Sequence, residues 1–137
     1  MYDIIVASAT PPISGAIAII RISGPGSIPL ADKIFHPFCQ KPLSTLRPRT
    51  AWYGEIRDSR GATLDRCLAL TFPAPASYTG EDCAELQIHG GLTLVNRVLG
   101  APLANPPGGP SQLCSKLRAQ HLTQPDRGTL SPLGLGV

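Results

Sequence analysis

The 137-residue chain contains no Gly-x-x-x-x-Gly-Lys-[Ser/Thr] run, which excludes the loop that cradles nucleotide phosphates in P-loop proteins. Its four cysteines, Cys39, Cys67, Cys83 and Cys114, are widely spread, with no Cys-x-x-Cys pair and no His at zinc-ligand spacing. They read as reduced, mostly buried thiols, and no metal site is expected. No apolar run approaches bilayer-spanning length, and Asp3 stands where a basic leader would precede the first one. Neither a membrane helix nor a signal peptide is expected, and the chain reads as cytoplasmic. Charged residues make up only 15%, and the net charge of +3 permits an anionic partner without arguing for one. There is no internal repeat. The length corresponds to one domain with a modest core.

What the chain does have is apolar runs of strand length separated by Pro and Gly, of which there are 15 and 14. Asp3 to Ala9 reads as a short buried strand, stopped by Thr10-Pro11-Pro12 because proline lacks the ladder donor. Ala16 to Ile22 is nearly all apolar, a pattern that suits a central strand covered on both faces. Gly24-Pro25-Gly26 makes a turn, with Ser27 as helix N-cap and a short helix from Ile28 to Phe35. His36 to Arg49 is basic, proline-spaced and read as loop. Ala51–Ile56 and Leu64–Phe72 form a hairpin across Arg57-Asp58-Ser59-Arg60-Gly61. On the second strand Leu68, Leu70 and Phe72 share one face, and Cys67, Ala69 and Thr71 the other.

Cys83 to Ile88 is a further strand, with Cys83, Glu85 and Gln87 opposite Ala84, Leu86 and Ile88. Gly90-Gly91 opens a helix over Leu92–Leu99, whose Leu94, Val95, Val98 and Leu99 have helical period. The expected fold class is α/β in the α+β sense, a mixed, largely antiparallel sheet with a few short helices. Residues 101–137 carry Pro106-Pro107-Gly108-Gly109-Pro110 without apolar periodicity. They read as a poorly ordered tail, apart from a turn or two of helix near Leu113 to Leu122.

Residues able to do chemistry gather at element ends. Arg21 is either a snorkelling edge residue or an anion clamp. Glu85 is either a polar residue on a solvent face or an acceptor for a ligand's donor edge. Adjacent strand residues point to opposite faces, so Glu81-Asp82 is no catalytic pair, and Asp82 is better read as accepting backbone N–H groups in a turn. His89-Gly90-Gly91 is either a ligand-binding His beside a helix start or a satisfied His at a tight strand-to-helix turn.

The run Phe72-Pro73-Ala74-Pro75-Ala76-Ser77-Tyr78-Thr79-Gly80-Glu81-Asp82-Cys83-Ala84-Glu85-Leu86-Gln87-Ile88-His89-Gly90-Gly91 resembles the N-terminal signature of the MnmE (TrmE) family of tRNA-modification GTPases. Ile5 to Pro12, Gly15 to Pro25 and Leu64 to Leu70 are similar to other blocks of that family, in the same order. The resemblance covers about residues 3 to 100 and fades beyond Gly100.

It implies an N-terminal folate-binding and dimerisation domain over 1–100, followed by a divergent Pro/Gly-rich tail over 101–137. It also implies a pocket for a tetrahydrofolate derivative, 5-formyl- or methylene-tetrahydrofolate, with Arg21 and Glu85 as cofactor-binding residues and Glu85 reading the pterin. The family's third pocket residue is a Lys in an Asn-x-Lys-Leu block. Lys116 of Cys114-Ser115-Lys116-Leu117 is the available counterpart, although it comes early and lacks the preceding Pro-Gly-Glu-Phe block.

In the full-length family the domain works with GTP, Mg²⁺, K⁺, an MnmG-like flavoprotein and tRNA, modifying the wobble uridine. With no GTPase region or C-terminal cysteine motif, the chain is expected to bind folate and self-associate as a homodimer without catalytic activity of its own. It looks like a truncated or frame-disrupted member. Two alternatives stay open: a folate-dependent one-carbon transferase similar to the glycine-cleavage T-protein, or a non-functional fragment.

Overall fold

The computed structural model describes residues 4–11, 13–104 and 117–121. The alternating apolar segments become strands β1 (Ile4–Ser8), β2 (Ile17–Ser23), β3 (Phe35–Pro37), β4 (Trp52–Arg57), β5 (Thr63–Phe72), β6 (Cys83–His89) and β7 (Leu117–His121). The helical segments are α1 (Ser27–Ile34) and α2 (Leu92–Ala104), with one 3-10 turn at Leu43–Thr45. Among the described residues the strands form one sheet in the order β3-β4-β5-β6-β2-β1-β7. Every pairing is antiparallel except β1 with β7. The expected mixed, largely antiparallel sheet with short helices is therefore present.

Side-chain alternation divides the sheet into two faces. Val6, Ala18, Ile20, Ile22, Ile56, Ala69, Ala84, Leu86 and Ile88 belong to one buried core with Leu30, Ala31 and Ile34 of α1 and Val95, Val98 and Leu99 of α2. The expected division of β5 holds, with Cys67, Ala69 and Thr71 on the buried side. For β2 the reading of two covered faces is corrected. Ile20 and Ile22 are fully buried, but Ile17 is 63% exposed, because α1 and α2 pack against a single face.

Four local expectations change as well. Ser27 is the first residue of α1 rather than its cap, and Gly26 caps at φ +89° with no side-chain bond. The Ser27 hydroxyl instead donates to the carbonyl of Asp82 at 2.8 Å, tying the helix start to the loop before β6. The stretch read as loop holds β3 and the 3-10 turn; β3 pairs with β4, where Gly54 gives it room, since a Cβ there would lie 2.7 Å from Cζ of Phe35. Helix α2 runs past Gly100 to Ala104, its buried Val98, Leu99 and Ala101 outweighing the weak helix propensity of glycine. In place of the helix expected near Leu113 to Leu122, Leu117–His121 is a strand beside β1; residues 113–116 and 122 lie outside the described residues. Apart from Ala101–Ala104 and β7, the expected tail also lies outside them.

Candidate functional site

Because the even-numbered residues of β2 and β6 fill the core, their odd-numbered residues face the other way. Antiparallel register places Arg21 directly opposite Glu85, as cross-strand neighbours. The Arg21 guanidinium donates to Glu85 Oε1 through both Nε, at 3.0 Å, and Nη2, at 2.6 Å. The side chains are 23% and 15% exposed, so the ion pair is partly withdrawn from solvent yet reachable. Both Arg21 bonds fall on one carboxylate oxygen, so Oε2 is not used by Arg21. Two residues taken separately from the sequence, 64 positions apart, thus form one polar unit near the middle of the sheet.

The loop between β5 and β6 overhangs this unit. The Tyr78 ring stacks with the Arg21 guanidinium, whose Cζ is 4.7 Å from the ring centroid, in a cation–π arrangement. Thr79 Oγ1 lies 2.8 Å from Ser23 Oγ on β2. Asp82 acts as expected for a turn residue: its Oδ1 accepts the Ala74 N–H at 2.8 Å, and its carbonyl accepts the Gly24 N–H at 2.9 Å. The Ser77 hydroxyl donates to the Glu81 carbonyl, and Arg49 Nη2 donates to the Ala76 carbonyl at 3.0 Å. Tyr78 itself is 88% exposed, so it stands over Arg21 without being packed away. In the sequence Tyr78 stands out only as part of the Phe72–Gly91 motif. Its contact with Arg21 depends on where the loop folds back, which strand periodicity does not report.

Next to the ion pair, burial pushes the Cys83 thiol up to about 11, with Arg21 pulling down and Glu85 adding to the rise. Cys67 is pushed up to about 12, by burial first and the Asp65 charge second. Both thiols are protonated at neutral pH and unsuited to nucleophilic work. Cys39 is exposed, and Cys114 and Lys116 lie outside the described residues. Among the described residues no group of three His, Cys, Asp or Glu side chains could hold a metal ion, and no helix is long and apolar enough to cross a membrane.

His89 resolves toward the simpler of its two readings. Its N–H donates to Asp65 Oδ2 at 3.0 Å and its Nδ1 lies 2.9 Å from Asp65 Oδ1, so one carboxylate holds the end of β6 to β5. Gly90 is needed for close approach. Gly15 N–H donates to its carbonyl at 3.0 Å, and a Cβ at Gly90 would lie 2.7 Å from the Gly15 carbonyl carbon and closer still to its oxygen. Gly91 then accepts the Val95 N–H at 2.9 Å at the start of α2. The paired glycines therefore build a turn.

A cleft of about 580 Å³ lies at the β3 edge between Asp32, His36, Phe38, Lys41 and Arg57, and its lining includes neither Arg21 nor Glu85. Volume alone does not outrank the pair as a candidate site, since the pair brings together the two motif residues with binding chemistry.

The family described as "GTP-binding protein TrmE N-terminus" matches residues 4–117. The chain belongs to this family. TrmE relatives extend the match. "tRNA modification GTPase MnmE" of Listeria welshimeri is 43% identical over 111 residues, 77% of this chain and 24% of the relative. The protein of that name from Methylibium petroleiphilum is 42% identical over 130 residues, 93% of the chain and 26% of the relative. The one from Akkermansia muciniphila is 47% identical over 97 residues, 69% and 20% respectively. The chain thus spans about a quarter of the length of these curated TrmE relatives. Membership in a tRNA-modification GTPase family does not favour the stand-alone one-carbon transferase.

Proposed function

We propose that this chain is a reduced-folate-binding and self-associating N-terminal domain of a tRNA-modifying GTPase, with a 5-formyl- or methylene-tetrahydrofolate ligand held at Arg21 and Glu85. The observation that carries the reading is the in-register Arg21–Glu85 pair under the Tyr78 loop. A pterin presents an amide-like N–H and an amino group side by side, which a carboxylate can accept in bidentate fashion. Arg21 orients Glu85 through its two hydrogen bonds and supplies planar donors beside it. The donor and acceptor set therefore fits the ligand class. When bound, such a folate supplies a one-carbon unit, and the residues here bind and orient it. Lys116 is the third residue of this reading.

Self-association draws support from the same sheet face. Ile5, Ile17, Tyr53 and Leu68 are 38%, 63%, 55% and 37% exposed there, more apolar surface than a small isolated domain gains from leaving wet. In the longer protein, the domain serves wobble-uridine modification of tRNA together with an MnmG-like flavoprotein, and GTP, Mg²⁺ and K⁺ belong to the parts outside this chain.

Titration of 5-formyl-tetrahydrofolate into the purified chain tests the reading. Saturable binding that Arg21→Ala weakens, with the circular dichroism spectrum retained, is the expected result. Absence of binding by the wild-type chain overturns it.

A further inference from the structure

Among the described residues Tyr78 is the most exposed large apolar side chain, at 88%, yet the loop that presents it is fastened on both sides. Before it, the Ser77 hydroxyl donates to the Glu81 carbonyl, and the Ala74 N–H donates to Asp82 Oδ1 at 2.8 Å. After it, Thr79 Oγ1 lies 2.8 Å from Ser23 Oγ of β2. The backbone is held while the ring is left in solvent. Its one printed partner is Arg21, whose guanidinium carbon is 4.7 Å from the ring centroid. A single exposed ring on a surface needs no explanation. This one stands over a residue of the candidate site, on a loop built to keep it there.

The contact with Arg21 is weak enough to exchange, because a cation over an exposed ring gains little while water still reaches both. An exposed side chain also changes rotamer rapidly, with no need for the backbone to move. Glu85 Oε1 is 2.6 Å from Arg21 Nη2. A flat ring accepted by this carboxylate therefore lies within one ring's width of the guanidinium, and so within reach of Tyr78. Glu85 can grip such a ring only at its edge, through hydrogen bonds. The face of the ring needs an aromatic partner, and an offset stack on a phenol supplies one.

We infer that Tyr78 is a specificity-determining residue that touches the ligand: its ring turns off Arg21 and stacks on the pyrimidinone ring of a pterin held edge-on by Glu85. The inference rests on the reduced-folate reading given above. It adds recognition of the heterocycle's face to recognition of its edge. In the free chain the same ring rests on Arg21, so the site exchanges a cation–π contact for a ring stack when it fills.

Calorimetric titration of 5-formyl-tetrahydrofolate into the full 137-residue chain and its Tyr78 variants tests the inference. Tyr78→Ala weakens binding by about 10-fold, the loss expected from removing one stacked ring. Its urea midpoint matches wild type, because the ring is exposed. Tyr78→Phe binds like wild type, and Tyr78→Leu, which keeps apolar bulk without a ring, is as weak as Tyr78→Ala. Repeating Tyr78→Ala in an Arg21→Ala background separates contact from positioning. The loss persists there if the ring touches the ligand, and vanishes if the ring only holds Arg21 in place. Phe38→Ala, which removes an exposed ring outside the site, binds like wild type. Where wild type binds, the inference is overturned by equal affinity of Tyr78→Ala, by rescue with Tyr78→Leu, or by a loss that vanishes in the Arg21→Ala background. Each of those results leaves the Arg21–Glu85 reading standing. Absence of binding by the wild-type chain overturns that reading and this inference with it.

Discussion

On the face of the sheet that α1 and α2 cover, Val6, Ile20, Ile22, Leu86 and Ile88 are at most 2% exposed. One position along the same strands, on the opposite face, lie Arg21, Glu85, Gln87 and His89, and Ile17 is 63% exposed. The covered face is built from close-packed apolar side chains and accounts for stability. The other face carries charge, hydrogen-bonding groups and uncovered apolar area, which a monomer gains little by displaying. Period-2 alternation lets a single strand serve both ends at once, so a substitution shifted by one residue changes which property is lost.

The largest effect should come from crossing between those faces at β6. Leu86→Ala removes a fully buried side chain and is expected to lower stability by about 2–5 kcal/mol. Gln87→Ala, next along the strand and facing outward, should stay within about 0.5 kcal/mol of wild type. Urea denaturation of the two variants measures the contrast. Equal losses would show that the two faces are not distinct in packing.

A smaller effect is expected at Gly90, where a Cβ meets the Gly15 backbone. Gly90→Ala should cost about 1–3 kcal/mol by overpacking, whereas Gly91→Ala meets nothing within 4 Å. Thermal melts of both variants check this. If Gly91→Ala is the more damaging, the close backbone approach at Gly90 does not govern the stability of this turn.

Smaller still is a difference in thiol chemistry. At pH about 8, Cys39 should react with a disulfide reagent, because it is exposed. Cys67 and Cys83 should resist until the chain unfolds, since burial raises both thiols and so suppresses the thiolate. Mass spectrometry of the labelled peptides reads the outcome, and early labelling of Cys83 would mean that the face beside the ion pair is open.

The strands were legible in the sequence wherever alternation was clean. β5 and β6 were read with the correct faces because Cys67-Leu68-Ala69-Leu70 and Ala84-Glu85-Leu86-Gln87 alternate in size and polarity. β2 looks covered on both faces in sequence because Ile17 and Ile19 are apolar on the outward face, a pattern that periodicity does not separate from full burial. β3 is not legible because three residues ending in proline carry no period, and they form a strand through their pairing with β4. β7 is not legible, and its segment suggests a turn or two of helix instead, because a short strand recruited to an edge is set by its neighbour β1 rather than by its own sequence. At the site, Arg21 and Glu85 were legible as motif residues. Their mutual bond follows from strand register and Tyr78's position from the loop's fold-back, neither of which is written in local pattern.

The most direct test of the central claim pairs affinity with stability at Glu85. Calorimetric titration of 5-formyl-tetrahydrofolate into wild type and Glu85→Gln is set beside the urea midpoint of each. Gln keeps the shape and can still accept from Arg21, but it replaces one acceptor oxygen with a donor. The account predicts a loss of roughly 30-fold or more in affinity, with a stability change of about 1 kcal/mol or less. Equal affinity of the two proteins would contradict it.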